Sequence, residues 1–449
     1  MKNNVSNREV IMYKDKNILV MGLGRSGVAV AKLLNENNNI TIIDKNDSNK
    51  DLINELENMG IKFLLEKEID EISNYDIVVR SPGILPSHEI IKRALENNIL
   101  IVNEVEVSYH FLPQNVKIIG VTGSNGKTTT TTIIYNLLSK IYDNVHLGGN
   151  IGIPLSALVS NVKKGDILVL EISDHQLYDM KDFKTNISVL TNLCETHLDF
   201  HGDYETYKEV KKKIFNNHSI DDIAIINSNC EDSLELIDNI NSKIKYFGKD
   251  DCYIKDNYIY LNNQKIIGID DILLKGKHNY ENIMAALLVM NEFELDNYVI
   301  KEVLENFSGV EHRLELVKKI DNIEIYNDSK ATNPTSTIIA INSFKKPIHL
   351  ILGGFERRQD FNELNESLEY VKCIYAIGET SDRIEQWCIQ HNLECYNMKM
   401  LELALSKIKE NVKEGEVILL SPASASWDQY DKFETRGEEF KNIVAKMFD

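Results

Sequence analysis

Cysteine is scarce and scattered. The 449 residues hold six, Cys194, Cys230, Cys252, Cys373, Cys388 and Cys395, and no two form a C-x-x-C pair. That excludes a disulfide scaffold, which is shorter and denser in cysteine, and points to reduced thiols in a cytoplasmic protein. No stretch approaches the roughly 18 uninterrupted apolar residues that a membrane helix needs. The segment from Met1 to Lys16 is polar, so no secretory leader is expected. Basic residues are in deficit, 50 Lys and Arg against 69 Asp and Glu, for a formal charge of −19. Nucleic-acid binders carry a basic footprint, so neither a polynucleotide nor a membrane is an expected partner. Small anionic ligands remain open, because oriented backbone amides hold phosphates inside acidic proteins.

The chain has 43% hydrophobic residues, enough for ample core, and its length allows two to four domains at about 150 residues each. Three segments each open on an apolar strand. The first runs Asn17 to Met21, then Gly22-Leu-Gly-Arg-Ser-Gly27 and a helical stretch to Leu34. The second runs Val116 to Thr122 into a glycine turn and a helix starting near Lys127. The third has strands at Ile323–Tyr326, Ile348–Leu352, Cys373–Ile377 and Val417–Leu420. Strands alternating with helices predict parallel, doubly wound sheets, hence an α/β fold.

The strongest local motif is Gly120-Val-Thr-Gly123-Ser124-Asn125-Gly126-Lys127-Thr128-Thr129. Backbone N–H groups in such a turn cradle phosphate oxygens, and the helix N-terminus adds partial positive charge. Lys127 is placed to reach the outer phosphates, and the Thr128 hydroxyl to meet Mg²⁺. The spacing departs from G-x-x-x-x-G-K-[ST], which needs glycine where Val121 stands. Alone, Gly22-Leu23-Gly24-Arg25-Ser26-Gly27 with Asp44 reads as a dinucleotide fingerprint and a hydride-transfer enzyme. The second phosphate loop at Lys127 argues against that, because a dehydrogenase needs no kinase-like loop.

From Lys127 onward motifs accumulate in a fixed order. They are Gly149-Asn150-Ile-Gly152, Leu170-Glu171-Ile-Ser-Asp-His-Gln176, Thr191-Asn192-Leu-Cys-Glu-Thr-His197-Leu-Asp199, Gly276-Lys-His-Asn279-Tyr-Glu-Asn282, Glu311-His312-Arg313, Asp328-Ser-Lys330-Ala-Thr332-Asn333, Gly353-Gly354 and Ser421-Pro-Ala-Ser-Ala-Ser426. In this order the chain resembles the Mur ligases over almost its whole length, and in detail the D-glutamate-adding member. The Asp-Asn-Pro-Arg stretch of the diamino-acid-adding member is absent. Folylpolyglutamate synthases share the middle domain but lack a first domain with this glycine loop.

The resemblance implies three domains: a Rossmann-like domain over residues 1–105 for the UDP moiety, a central P-loop ATPase over 106–311, and a C-terminal Rossmann-like domain over 312–449 that brings the amino acid. It implies a monomer using ATP and two Mg²⁺ sites to join D-glutamate to UDP-N-acetylmuramoyl-L-alanine through an acyl phosphate. Gly123, Ser124, Asn125, Gly126, Lys127, Thr128 and Thr129 would hold ATP, with Asn282, Arg313 and Asp328 around its adenine, ribose and phosphates. Thr128 and Glu171 would hold one metal, and His197 and a CO₂-modified (carbamylated) Lys211 the other. The neighbouring Lys208, Lys212 and Lys213 read as a solvated helix face. Leu23, Gly24, Arg25, Ser26, Asp44, Lys45, Ser81, Gly83 and Asn150 would meet the nucleotide-linked substrate. Lys330 would clamp developing charge beside Thr332, while Arg357, Ser426, Trp427 and Phe433 would position glutamate.

Three positions depart from the family pattern. The acidic residue before the histidine is Thr196. The usual Ser-Ser-Phe after the strand-end glutamate is Ser173-Asp174-His175. The small residue after the third-domain cation is Arg358. The first two bear on how the metals are supported, and the third on which arginine meets glutamate.

Overall fold

The computed structural model describes residues 10–448 apart from 239 and 294. The start of the polar segment Met1 to Lys16, read as carrying no leader, therefore lies outside the described residues. The chain divides into two compact units with the break between Asn306 and Phe307. The first unit contains two sheets and the second unit one.

The first sheet has strands β1 (Asn17–Met21), β2 (Asn39–Asp44), β3 (Lys62–Leu65), β4 (Ile77–Arg80) and β5 (Leu100–Val102), ordered β3-β2-β1-β4-β5. All neighbours are parallel. Side chains alternate across a strand, so Ile18 and Val20 pack in one apolar cluster with Val30 and Leu34, and Leu19 and Met21 in another with Ile90 and Ile91. Both faces are covered, which is why β1 reads as an unbroken apolar run. The order reverses between β1 and β4, and that switch point puts the Gly22 turn beside Ser81.

The second sheet has nine strands: β6 (Lys117–Thr122), β7 (Val145–Gly149), β8 (Ile167–Glu171), β9 (Ile187–Leu190), β10 (Ile223–Asn227), β11 (Lys243–Phe247), β12 (Cys252–Lys255), β13 (Tyr258–Leu261) and β14 (Gln264–Gly268). Their order is β14-β13-β12-β11-β10-β9-β6-β8-β7. β6 lies between β9 and β8 and parallel to both, so the loops after these three strands open on one edge. The helix Lys127–Leu138 begins with a β-branched run, a poor local helix former. Burial rescues it: Thr128 to Thr131 are buried, and Thr131 and Thr132 donate their hydroxyls to the carbonyls of Lys127 and Thr128 at 2.7 and 2.8 Å.

The two sheets of this unit are stapled by buried polar groups. Arg80, 1% exposed, ends β4 and pairs with Asp179 at 2.7 Å. Glu106 accepts the backbone N–H groups of Lys181, Asp182 and Phe183 at 2.8–3.1 Å.

The second unit has strands β15 (Glu315–Ile320), β16 (Ile323–Asn327), β17 (Ile348–Gly353), β18 (Val371–Ile377), β19 (Cys395–Lys399) and β20 (Val417–Leu420), ordered β15-β16-β20-β17-β18-β19. β15 pairs antiparallel with β16, and the rest are parallel. Among the described residues no helix is long and apolar enough to cross a membrane, and all six cysteines are free thiols.

Candidate active site

The turn after β6 is shaped by its glycines. Gly126 caps the following helix at φ 82°, in the left-handed region that glycine enters at no steric cost, and a Cβ there would collide with the Asn282 amide. Asn282, buried on the helix Lys277–Met290, thus abuts the loop. The loop is braced from β9: the N–H groups of Ser124 and Asn125 donate to the Asn192 backbone and side-chain oxygens at 2.9 and 3.0 Å. These two amides are therefore already paired within the protein. The start of the helix Lys127–Leu138 adds the partial positive charge of a helix N-terminus and is the part of the turn suited to an anion. The Lys127 ammonium lies over the carbonyls of Gly123 and Ser124 at 2.8 and 2.9 Å.

Glu171 ends β8 in register with Val121 and is 2% exposed. One carboxylate oxygen accepts the Asn150 amide at 2.7 Å. The other, Oε2, is buried without a hydrogen-bond partner among the described residues. A buried carboxylate oxygen left bare is costly, and a divalent cation is a natural partner for it. The donors Glu171 and Thr128 fit Mg²⁺, which takes oxygen ligands.

Beyond β8 and β9 the second polar group is built on Asp174, the first residue of the helix Asp174–Tyr178, whose start is fixed by a Ser173–Gln176 capping box. Asp174 is 1% exposed. Its Oδ2 accepts His197 Nδ1 at 2.9 Å and His201 Nε2 at 2.8 Å, and its Oδ1 faces Lys211 Nζ at 3.3 Å. Burial raises its pKa, but the His197 hydrogen bond, the Lys211 charge and the His201 hydrogen bond outweigh that and hold the carboxyl well below the usual carboxylate range. His197 sits at φ 54°, a strained conformation that aims its ring from the loop after β9. His175 is pushed down to about 4 by burial, so its ring is neutral.

Lys211 is fully buried and also donates to Thr122 Oγ1 and the Gly123 carbonyl at 3.2 and 3.0 Å. Burial and the nearby Lys127 charge push its amine down to about 7. Sequence reasoning placed Lys208 and Lys213 on a solvated face, and the structure corrects this. Lys208 is buried and pairs with Glu205 and Glu235 at 2.8 and 2.9 Å. Lys213 is half-buried and donates to the Tyr178 carbonyl at 2.5 Å. Lys212 is half-buried.

In the first sheet, the N–H of Leu23 donates to Asp44 Oδ2 at 2.9 Å, and that of Gly22 to the Ile43 carbonyl at 2.7 Å. A Cβ at Gly22 would press on the Ser81 hydroxyl. Gly24, Arg25, Lys45 and Gly83 are exposed, and Ser26 is half-buried. A cavity of about 960 Å³ lies beside this turn, lined by Leu23, Gly24, Arg25, Val28, Leu52 and Ala157 among others.

The second unit has its own polar centre. Asp328 follows β16, is 4% exposed, and accepts the Ser421 hydroxyl at 2.7 Å and the Leu314 N–H at 3.2 Å. Burial pushes its carboxyl up to about 7. Arg313, Lys330 and Thr332 are half-buried, and the Lys330 ammonium lies 5.9 Å from the Phe433 ring centroid. Arg357 stacks on Trp427 at 4.1 Å, while Arg358, at φ 60°, turns the chain. Ser426 is buried beside them in sequence.

Sequence reasoning missed Arg436. It is 1% exposed and donates to Ser329 Oγ at 3.0 Å, the Ser329 carbonyl at 2.9 Å and the Ser424 carbonyl at 3.1 Å, tying the Asp328–Lys330 turn to the Ser421–Ser426 segment. Arg80 and His201 were likewise not given roles. A lone buried arginine or histidine leaves no periodic signal.

A central parallel strand, a glycine turn, a lysine at the helix start and a buried strand-end carboxylate define a phosphate-loop nucleotide-binding protein. Comparison with known proteins narrows this class. Profiles described as Mur ligase MurD-like N-terminal domain, Mur ligase middle domain and Mur ligase glutamate ligase domain match residues 16–103, 121–290 and 312–424. The chain belongs to the Mur ligase family. It is 39% identical to the UDP-N-acetylmuramoylalanine--D-glutamate ligase of Geobacillus sp. strain WCH70, over 98% of this chain and 100% of that one. The enzyme of the same name from Clostridioides difficile is 36% identical, over 97% and 99%. Among solved structures, MurF from Acinetobacter baumannii aligns with a TM-score of 0.62 at 15% identity, covering 95% of this chain and 94% of that one. The UDP-N-acetylmuramate-alanine ligase MurC of Thermotoga maritima aligns at 0.61 and 18%, covering 96% and 99%. These two likenesses concern the fold.

Proposed function

We propose that this chain joins D-glutamate to UDP-N-acetylmuramoyl-L-alanine, with conversion of ATP to ADP and phosphate, in peptidoglycan precursor synthesis. The observation that carries the reading is near-complete alignment, at 36–39% identity, with relatives bearing that activity in their names. The phosphate loop with buried Glu171 beside it supports it chemically. A carboxylate is a poor acylating agent. Its oxygen attacks the terminal phosphorus of ATP, ADP leaves, and an acyl phosphate results. The amine of glutamate then attacks the acyl carbon, phosphate departs, and the nitrogen loses a proton.

Two anions meet in the first step, so catalysis rests on positioning and electrostatic stabilisation. Lys127 and the helix-terminal amides hold the phosphates. Mg²⁺, when bound, would neutralise their charge, with Thr128 and Glu171 holding one ion and His197 a second. Lys211, buried beside Asp174, is the amine we assign to CO₂ uptake; the carbamate, formed with loss of a proton, would add a ligand to the second cation. Asn282, Arg313 and Asp328 are assigned to the nucleoside and phosphates of ATP. The Gly22–Gly27 turn with Asp44, Lys45, Ser81 and Gly83 is assigned to the UDP moiety. Lys330, Thr332, Arg357, Ser426, Trp427 and Phe433 are assigned to glutamate and the reacting carboxylate.

Within this reading the domains run 1–105, 106–311 and 312–449, and the chain acts as a cytoplasmic monomer on small molecules. Its free cysteines support a reducing compartment. The test is phosphate release with ATP, Mg²⁺ and UDP-N-acetylmuramoyl-L-alanine across a panel of amino acids. Turnover confined to D-glutamate is the expected result, and turnover with a different amino acid would reassign the chain to a sibling ligase.

A further inference from the structure

We propose that Asp174, His175 and His197 form a divalent-cation site whose donor set selects a transition-metal ion such as Mn²⁺ or Co²⁺ over Mg²⁺. The inference rests on the reading of His197 as a metal ligand and adds two residues that the family pattern does not supply there. The three side chains place one ligand atom each within 4.8 Å of the others. Asp174 Oδ2 lies 2.9 Å from His197 Nδ1 and 3.9 Å from His175 Nδ1. Atoms bound about 2.1 Å from one ion lie about 3 Å apart at a right angle and about 4 Å apart when nearly opposite. Both distances fall in that window.

The surroundings have the build of a metal site. The Asp174 carboxylate oxygen that faces the two rings is also held by His201 at 2.8 Å, the kind of outer partner that fixes a ligand's direction. The His175 ring is held edge-on against Phe200, 4.1 Å between centroids, and 5.0 Å from the His197 ring. The anchor is buried, while the His175 and His197 side chains are 25% and 45% exposed, so an ion has a way in. Two imidazoles with one carboxylate suit Mn²⁺, Co²⁺ or Zn²⁺, whereas Mg²⁺ prefers oxygen ligands and retained water.

The test uses the tag-free full chain without nucleotide or substrate, so that a site completed by phosphates stays weak. Co²⁺ is titrated and its visible absorption read, and Mn²⁺ and Mg²⁺ are titrated calorimetrically. One site is expected, with nitrogen-ligated cobalt absorption and affinity for Co²⁺ and Mn²⁺ at least about tenfold above that for Mg²⁺. His175→Phe should weaken cobalt binding by at least about tenfold, and Asp174→Ser should abolish it. If Asp174→Ser fails to fold, His175→Phe, at a partly exposed ring, decides alone. Unchanged cobalt affinity in His175→Phe, or equal affinity for Mg²⁺ and Co²⁺, overturns the site. Cobalt binding without amide formation would sink the ligase reading and leave the site standing. Amide formation with wild-type cobalt affinity in His175→Phe would do the reverse.

Discussion

The two glycine turns of the first unit share a plan and differ in what surrounds them. The Gly22–Gly27 turn is anchored by one carboxylate, Asp44, and opens beside a cavity of about 960 Å³. The Gly123–Lys127 turn is walled by Asn192, Asn282, Glu171 and Lys211, three of them at most 5% exposed. Charge in such low-dielectric surroundings interacts far more strongly than at a wet surface. The difference teaches that a strand-to-helix turn takes its chemical character from what the neighbouring strands set beside it.

The largest expected effect comes from the second turn. Lys127→Ala should lower kcat on the order of 10³-fold with little change in KM for the UDP substrate, as expected for a group that stabilises developing charge. A fall confined to KM would erase the contrast between the turns. Next, Lys211→Ala should cost about 10²-fold in kcat and be partly rescued by a small carboxylate such as acetate. Full activity in that variant would remove Lys211 from the site. Asp44→Ala, in the first turn, should act on binding: KM for the nucleotide-linked substrate should rise about tenfold, equivalent to about 1.4 kcal/mol. A comparable loss in kcat would mean that both turns serve the chemical step.

The smallest effect concerns the footing of the second turn. His218 is buried beneath β9 and meets Thr185 and Ser188 at 2.9 and 3.0 Å. Burial pushes its pKa from 6.5 down to about 4. Between those values the unfolded chain binds a proton that the folded chain refuses. Stability should therefore fall as pH drops through that window, by at most about 1.4 kcal/mol per unit. Urea titrations at several pH values should show the slope, and His218→Gln should flatten it.

Much of this protein was legible in one dimension. Apolar runs such as Ile18–Met21 and Ile118–Val121 announced strands covered on both faces, because a central parallel strand has no wet side. Glycine followed by Lys127 and Thr128 announced a phosphate loop, because that chemistry needs bare backbone and one cation at a helix start. Period and spacing carry such information, since both act along the chain. Tertiary structure decided the rest. Lys208, Lys211 and Lys213 are alike in sequence, yet Lys211 alone of the three is fully buried against Asp174. Arg80 and Arg436 bridge segments 99 and 107 residues apart. Asp174 became the hub of two histidines and a lysine only when β8, β9 and the helix Tyr204–Lys212 met at one edge. Burial and long-range pairing are properties of a packed volume, and no local pattern of residue types encodes them.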